Sequence, residues 1–166
     1  NGLVRVVGSA DQFTSYYNQY RIEFPGLFEV QLGGSVLNKP SASLPTQTYN
    51  LVIYQNQQPS LKVKFEDLKV TESTDGTFYG GYIYHPDYGK VFVSTDDQNE
   101  NLLVTEDGDN LVNRPIGGTL RFTSNGNTAL IRFNADASFD LELDLGADGT
   151  SDASATNQAW PSIPKT

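Results

Sequence analysis

The residues best placed to do chemistry are a run of carboxylates near the C-terminal end, Asp140, Glu142, Asp144, Asp148 and Asp152. From Asp144 onward their spacing is that of an oxygen-ligand loop. With Asp144 as position one, Asp148 is fifth, Gly149 sixth and Asp152 ninth, the places an EF-hand-type calcium loop gives to ligands and to its tight turn. Thr150 would add a backbone or hydroxyl oxygen, so Asp144, Asp148, Thr150 and Asp152 form the candidate metal set, with Ca²⁺ as the cation. Gly146 stands where a third-position acid belongs, and Ala155 where a bidentate Glu belongs. The competing reading is an Asp-Gly turn closed by local side-chain hydrogen bonds. Asp96, Asp97 and Glu100, then Glu106, Asp107 and Asp109, are further sources of oxygen ligands or simply solvated loops.

A second constellation is aromatic. Tyr82 and Tyr84 are two apart and share one face of a strand, with Tyr79 and Tyr88 nearby. Rings in a row can stack on sugars while their hydroxyls stay wet, which makes Tyr79, Tyr82, Tyr84 and Tyr88 the candidate ligand-binding set and a polysaccharide the candidate partner. Tyrosine is also an ordinary residue of a half-buried sheet surface.

Catalysis has less to build on. The alternation of Asp140, Glu142 and Asp144 puts successive carboxylates ~6.6–7 Å apart, inside the ~6.5–9.5 Å range of an inverting glycosidase pair. Almost any charged strand does the same, and nothing flanking these residues suggests a cleft that would raise one pKa. The single His85 lies in a Tyr-His-Pro-Asp turn, and no Gly-x-Ser-x-Gly motif supplies a nucleophile. The chain reads as a non-enzyme.

Composition closes other routes. There is no Cys, so thiol catalysis, thiolate zinc sites and disulfides are excluded. A formal charge of −9 argues against nucleic acid and against a polybasic membrane surface. The acidity is uneven: residues 1–83 hold 6 basic and 7 acidic side chains, residues 84–166 hold 5 and 13. No apolar stretch is long enough for a transmembrane helix. The sequence starts without Met, which predicts a leader already removed and an exported, secreted or cell-surface protein.

The elements that must position these residues are strands. Alternating runs recur at 20–24, 27–32, 48–54, 61–65, 68–71, 77–85, 90–95, 102–105, 119–123, 128–133 and 139–145, separated by Gly, Pro, Asn and Asp. No crossover helices for a parallel sheet are present. The expected fold is one all-β domain over 1–166, an antiparallel β-sandwich or flattened barrel of about ten to twelve short strands. One short N-terminal helix is expected over residues 9–20, from Ser9 and Gln12 as a capping box and Phe13, Tyr16, Tyr17 and Tyr20 at helical spacing.

Asn125-Gly126 between two alternating runs specifies a two-residue hairpin. It sets Phe122 opposite Ala129, Leu120 opposite Ile131 and Gly118 opposite Phe133. In the run 139–145 the pattern sends Phe139, Leu141, Leu143 and Leu145 inward and the acids outward. Residues 38–47, with Pro40 and Pro45, read as a loop. Residues 147–166 read as an extended tail, anchored by Trp160 and Ile163. The apolar segment within residues 1–8 (Leu3, Val4, Val6, Val7) is a candidate edge or donor strand, able to add to a second copy and make a homo-oligomer or polymer.

Gly89 with the strand that follows, the next hairpin, and the acidic Asp-Gly turn of residues 143–152 with Trp160 downstream carry a resemblance. From about Leu61 to Trp160 the chain resembles uncharacterised secreted proteins and lipoproteins of marine-type Gram-negative bacteria. The resemblance implies export, a β-rich fold and no established activity. Gly146 departs from the acid or Asn of that group, at a position that would ligate metal.

Overall fold

In the computed structural model, described over residues 2–24, 28–55, 58–73, 76–95, 103–105, 114–136 and 138–159, the chain is all-β and antiparallel. Its strands are β1 (Leu3–Gly8), β2 (Phe13–Phe24), β3 (Phe28–Lys39), β4 (Thr46–Gln55), β5 (Gln58–Ser73), β6 (Gly76–His85), β7 (Gly89–Thr95), β8 (Leu103–Thr105), β9 (Arg114–Gly117), β10 (Thr119–Ser124), β11 (Asn127–Phe133), β12 (Phe139–Leu145) and β13 (Ala153–Gln158). Two compact units are distinguished, residues 1–73 with 79–92, and residues 74–78 with 93–166.

The first unit is a meander in the order β1-β2-β3-β4-β5-β6-β7. Its apolar face carries Phe13, Ser15, Tyr17, Tyr20 and Ile22 from β2, Val36 and Leu32 from β3, Leu51 and Ile53 from β4, and Phe65 and Val63 from β5, as the strand registers dictate. Val36 and Leu51, both 6% exposed, are its most buried apolar side chains. The opposite face carries the strand positions in between, polar and aromatic side chains together.

The expected helix over residues 9–20 is not formed. Residues 13–20 belong to β2, paired with β1 on one side and β3 on the other. The three-residue step from Tyr17 to Tyr20 has a different origin from a helical turn. Gln19 sits at φ 50° in a bulge, so Tyr17 opposes Gly34 and Tyr20 opposes Leu32. One extra residue keeps both rings on one face, with centroids 6.0 Å apart. Tyrosine and threonine also favour a pleated surface over a helix.

The same device recurs across the unit. Asp67, at φ 48°, forms a bulge in β5 that merges the two strands expected at 61–65 and 68–71 into one. Asn50 clamps it: its Nδ2 donates to Asp67 Oδ1 and its Oδ1 accepts from the Asp67 N–H, both at 3.0 Å. Gly34 and Gly81 lie against Asn50 and against Asp67–Leu68 so closely that neither leaves room for a side chain. The expected loop over residues 38–47 shrinks to 40–45, because β3 runs through Lys39 and β4 starts at Thr46.

The second unit runs β10-β11-β12-β13, with β8 paired to β9. The Asn125-Gly126 hairpin has the register derived from its turn: Phe122 opposes Ala129, Leu120 opposes Ile131, and the Phe133 N–H donates to the Gly118 carbonyl at 2.9 Å. Positive φ at both turn residues, 50° and 76°, makes it type I′. The simple leucine-in, acid-out expectation for β12 does not hold. Leu141 and Leu145 are exposed while Asp140, Glu142 and Asp144 are half-buried, and each acid has a partner, Asp144 in the amides of Asp148 and Gly149. Asp140 accepts the Asn157 N–H at 2.7 Å and Glu142 pairs with Arg132. Part of the expected tail is ordered strand, since β13 pairs with β12. Trp160 and Ile163 lie outside the described residues.

Among the described residues β1 and β13 stand at the two ends of the strand order and do not pair with each other, so these strands are not closed into a barrel. Among the described residues there is no helix, and hence none long and apolar enough to cross a membrane.

Candidate functional site

Tyr82 and Tyr84 do share a face, and the structure adds partners from neighbouring strands. Lys90 of β7 places its ammonium 3.8 Å from the Tyr82 ring centroid and 5.1 Å from that of Tyr84. Lys64 of β5 sits 4.8 Å from the Tyr84 ring, and Lys62 sits 5.4 Å from the Tyr54 ring. Phe92 meets Tyr82 edge-on at 5.1 Å. Alternation explains the set: Lys62, Lys64 and Glu66 are two apart on β5, as are Tyr82 and Tyr84 on β6, and Lys90 and Phe92 on β7.

Glu66 ties the face together. One oxygen accepts from Lys64 at 2.7 Å and the other from Lys90 at 3.2 Å. Hydrogen bonds from Lys64, Tyr84 and Lys90 hold its carboxyl well below the usual range, at about 2. The same bond to Glu66 pushes the Lys64 ammonium up, and Lys90 rises through its bonds to Tyr84 and Glu66. The three charges therefore stay charged across the physiological range.

Tyr79 and Tyr88 are not part of this group. Tyr79 belongs to the opposite, apolar face beside Tyr49. Burial first, then the Glu72 carboxylate, pushes its phenol up; Tyr49 is raised by burial, then by Tyr79, Glu72 and Tyr17. Tyr88 is 74% exposed in the turn after β6, its ring 4.7 Å from His85. His85 accepts the Asp87 N–H on Nδ1 at 3.2 Å, the arrangement of a turn histidine with no nucleophile beside it among the described residues.

The acidic loop behaves as a capped turn. Asp144 accepts the N–H groups of Asp148 and Gly149 at 3.2 and 2.9 Å, Asp148 accepts that of Thr150 at 2.8 Å, and Asp152 accepts that of Leu145 at 2.6 Å. Each carboxylate accepts at least one loop amide, the local capping that an Asp-Gly turn provides. Among the described residues no three His, Cys, Asp or Glu side chains gather as a metal site. The acidic segments 96–100 and 106–109 lie outside the described residues.

Among the described residues no strand pairs with the second edge of β1. The Ser9 N–H donates to the Gln12 carbonyl at 2.9 Å, and alternation from that bond turns the amides and carbonyls of Val4 and Val6 away from β2. Leu3 and Val6 are 62% and 60% exposed. A hollow of about 230 Å³ between Phe13, Lys39, Pro40, Pro45, Val70 and Glu72 is smaller than a usual ligand pocket and gathers no catalytic groups.

The sequence pointed to the tyrosines but missed the lysines and Phe92, which lie on the strands before and after the one that bears Tyr82 and Tyr84. The alternation of Lys62, Lys64 and Glu66, and of Lys90 and Phe92, was the available signal. No protein-family model, curated protein or solved structure matches the chain.

Proposed function

We propose that the chain is a non-enzymatic, extracytoplasmic structural or adhesive protein that self-associates through the open edge of β1. The observation that carries this reading is an apolar edge strand with its outer hydrogen-bonding groups unpaired by β2 and its Leu and Val side chains in water. Folded proteins normally blunt such an edge with charge, proline or a covering element. In β1 the single charge is Arg5. A second copy of β1, or an edge strand of another copy, would pair those groups. Export, as the resemblance to secreted proteins and lipoproteins implies, is part of the proposal. An antiparallel all-β architecture is common among cell-surface domains and supports the same setting.

Light scattering across a concentration series tests it. The full chain is expected to grow in mass with concentration, and Val6→Lys to remain monomeric with an unchanged circular dichroism spectrum. A full chain that stays monomeric at high concentration overturns the assembly reading.

The second reading is a carbohydrate-binding module, favoured by the exposed Tyr82–Phe92 pair. Calcium assistance is a separate proposal, tested by chelation: a lower melting temperature in EDTA supports it and an unchanged one removes it.

A further inference from the structure

We propose that the lysine- and tyrosine-bearing face of β5, β6 and β7 binds an anionic polysaccharide, one that carries carboxylate or sulfate groups. This deepens the carbohydrate-binding reading and rests on it.

Two observations decide for an anionic ligand over a neutral one. First, the tyrosine rings carry ammonium groups: Lys90 over Tyr82, Lys64 over Tyr84, Lys62 over Tyr54. A neutral sugar stacking on these faces must push the cations aside and lose those contacts. A sugar acid can pair with the same ammoniums while its ring packs against Phe92 and the edge of Tyr82. Second, the face already holds a carboxylate. Glu66 bridges Lys64 and Lys90 with one oxygen each, which shows that the two ammoniums are spaced for a bidentate acid. With Lys62 beside them, the face sets three cations around that one internal acid, in a chain whose net charge is −9. A local positive patch on an acidic protein steers anionic partners to one place and repels them elsewhere.

Glu66 is thus an internal stand-in for the ligand's acid group. Strand pairing fixes the backbone beneath it, and its partly exposed side chain must release Lys64 and Lys90 for the ligand's acid to take its place.

The test is affinity electrophoresis of the full chain through gels containing polygalacturonate, dextran sulfate or neutral dextran. Retardation by the two anionic polymers, weakened by added salt, is expected, and the two arms separate carboxylate from sulfate preference. Lys64→Ala with Lys90→Ala should weaken retention by about tenfold or more, Lys64→Arg with Lys90→Arg should keep it, and the exposed Lys39→Ala should leave it unchanged. Glu66→Gln should strengthen retention, because it removes the internal competitor; a merely structural Glu66 would weaken it. Circular dichroism confirms that each variant is folded. Equal retardation by neutral dextran, unaffected by the lysine changes, would refute the anionic preference and leave carbohydrate binding standing. No retardation by any polymer would sink both. Retardation by a single-stranded oligonucleotide but by neither anionic polysaccharide would reassign the face to nucleic acid and overturn the proposal.

Discussion

Gly80 and Gly81 are sequence neighbours with opposite structural demands, and replacing each with Ala separates them. A Cβ on Gly81 would fall 2.5 Å from the Asp67 carbonyl oxygen and as close to the Leu68 Cα, on a backbone held at φ 151°. Both obstacles are main chain in the adjoining bulge, which Asn50 clamps with two hydrogen bonds, so neither can swing away as a side chain would. Forcing a non-glycine residue into such a conformation costs about 1–3 kcal/mol before any overlap is counted. Displacing the bulge adds the loss of the clamp, with hydrogen bonds worth about 1 kcal/mol each. Gly81→Ala should therefore destabilise the protein by about 3–5 kcal/mol. A Cβ on Gly80 meets nothing within 4 Å, and Ala in a strand is about 0.5–1 kcal/mol better than Gly. Gly80→Ala should be neutral or slightly stabilising. With a urea m-value of about 1–3 kcal/mol per molar, the two midpoints should differ by more than 1 M on the order of these estimates. Urea denaturation followed by far-ultraviolet circular dichroism reads the difference. Equal midpoints would show that the bulge yields to a methyl group and that the close approach of β6 to β5 is not a constraint.

Gly34→Ala and Gly33→Ala should repeat this contrast, because only Gly34 has a positive φ and abuts the Asn50 carbonyl; the same urea titration checks it. Asp152→Ala should cost about 1 kcal/mol through loss of its bond to the Leu145 amide, measured by the melting temperature, and the cost should be the same with and without calcium if the loop is only a capped turn. Glu66 has its carboxyl depressed to about 2 in the folded chain. Its contribution is full above the unfolded value near 4.5 and fades as pH falls from there toward 2, so the acid unfolding curve of Glu66→Gln should lack that component. Tyr49 and Tyr79 have raised phenol pKa values; ultraviolet titration should find two phenols ionising above the ordinary value of about 10, with stability lost as pH climbs past it.

Local chemistry made several features readable in advance. The Asn125-Gly126 hairpin and its register came from the turn type and period-two alternation, both properties of residues close in sequence. The pairing of Tyr82 with Tyr84 on one face followed the same rule, as did the competing description of Asp144, Asp148 and Asp152 as a self-capped turn. The misread segment 9–20 shows where such reasoning stops. Tyr17 and Tyr20 are three apart in both a helix and a bulged strand, and only strands on either side of β2 distinguish the two.

What the amino-acid order determined alone is the β class, the turns and which residues alternate together. The tertiary structure decided where alternation shifts: at Gln19 and at Asp67, with Asn50 and Gly81 shaped to receive the latter. It also decided that Lys64, Glu66, Tyr84 and Lys90 meet. Those contacts run across strands, between residues up to 24 positions apart. Lateral pairing brings them within a few ångströms, and no pattern along a single strand encodes which neighbour will lie alongside.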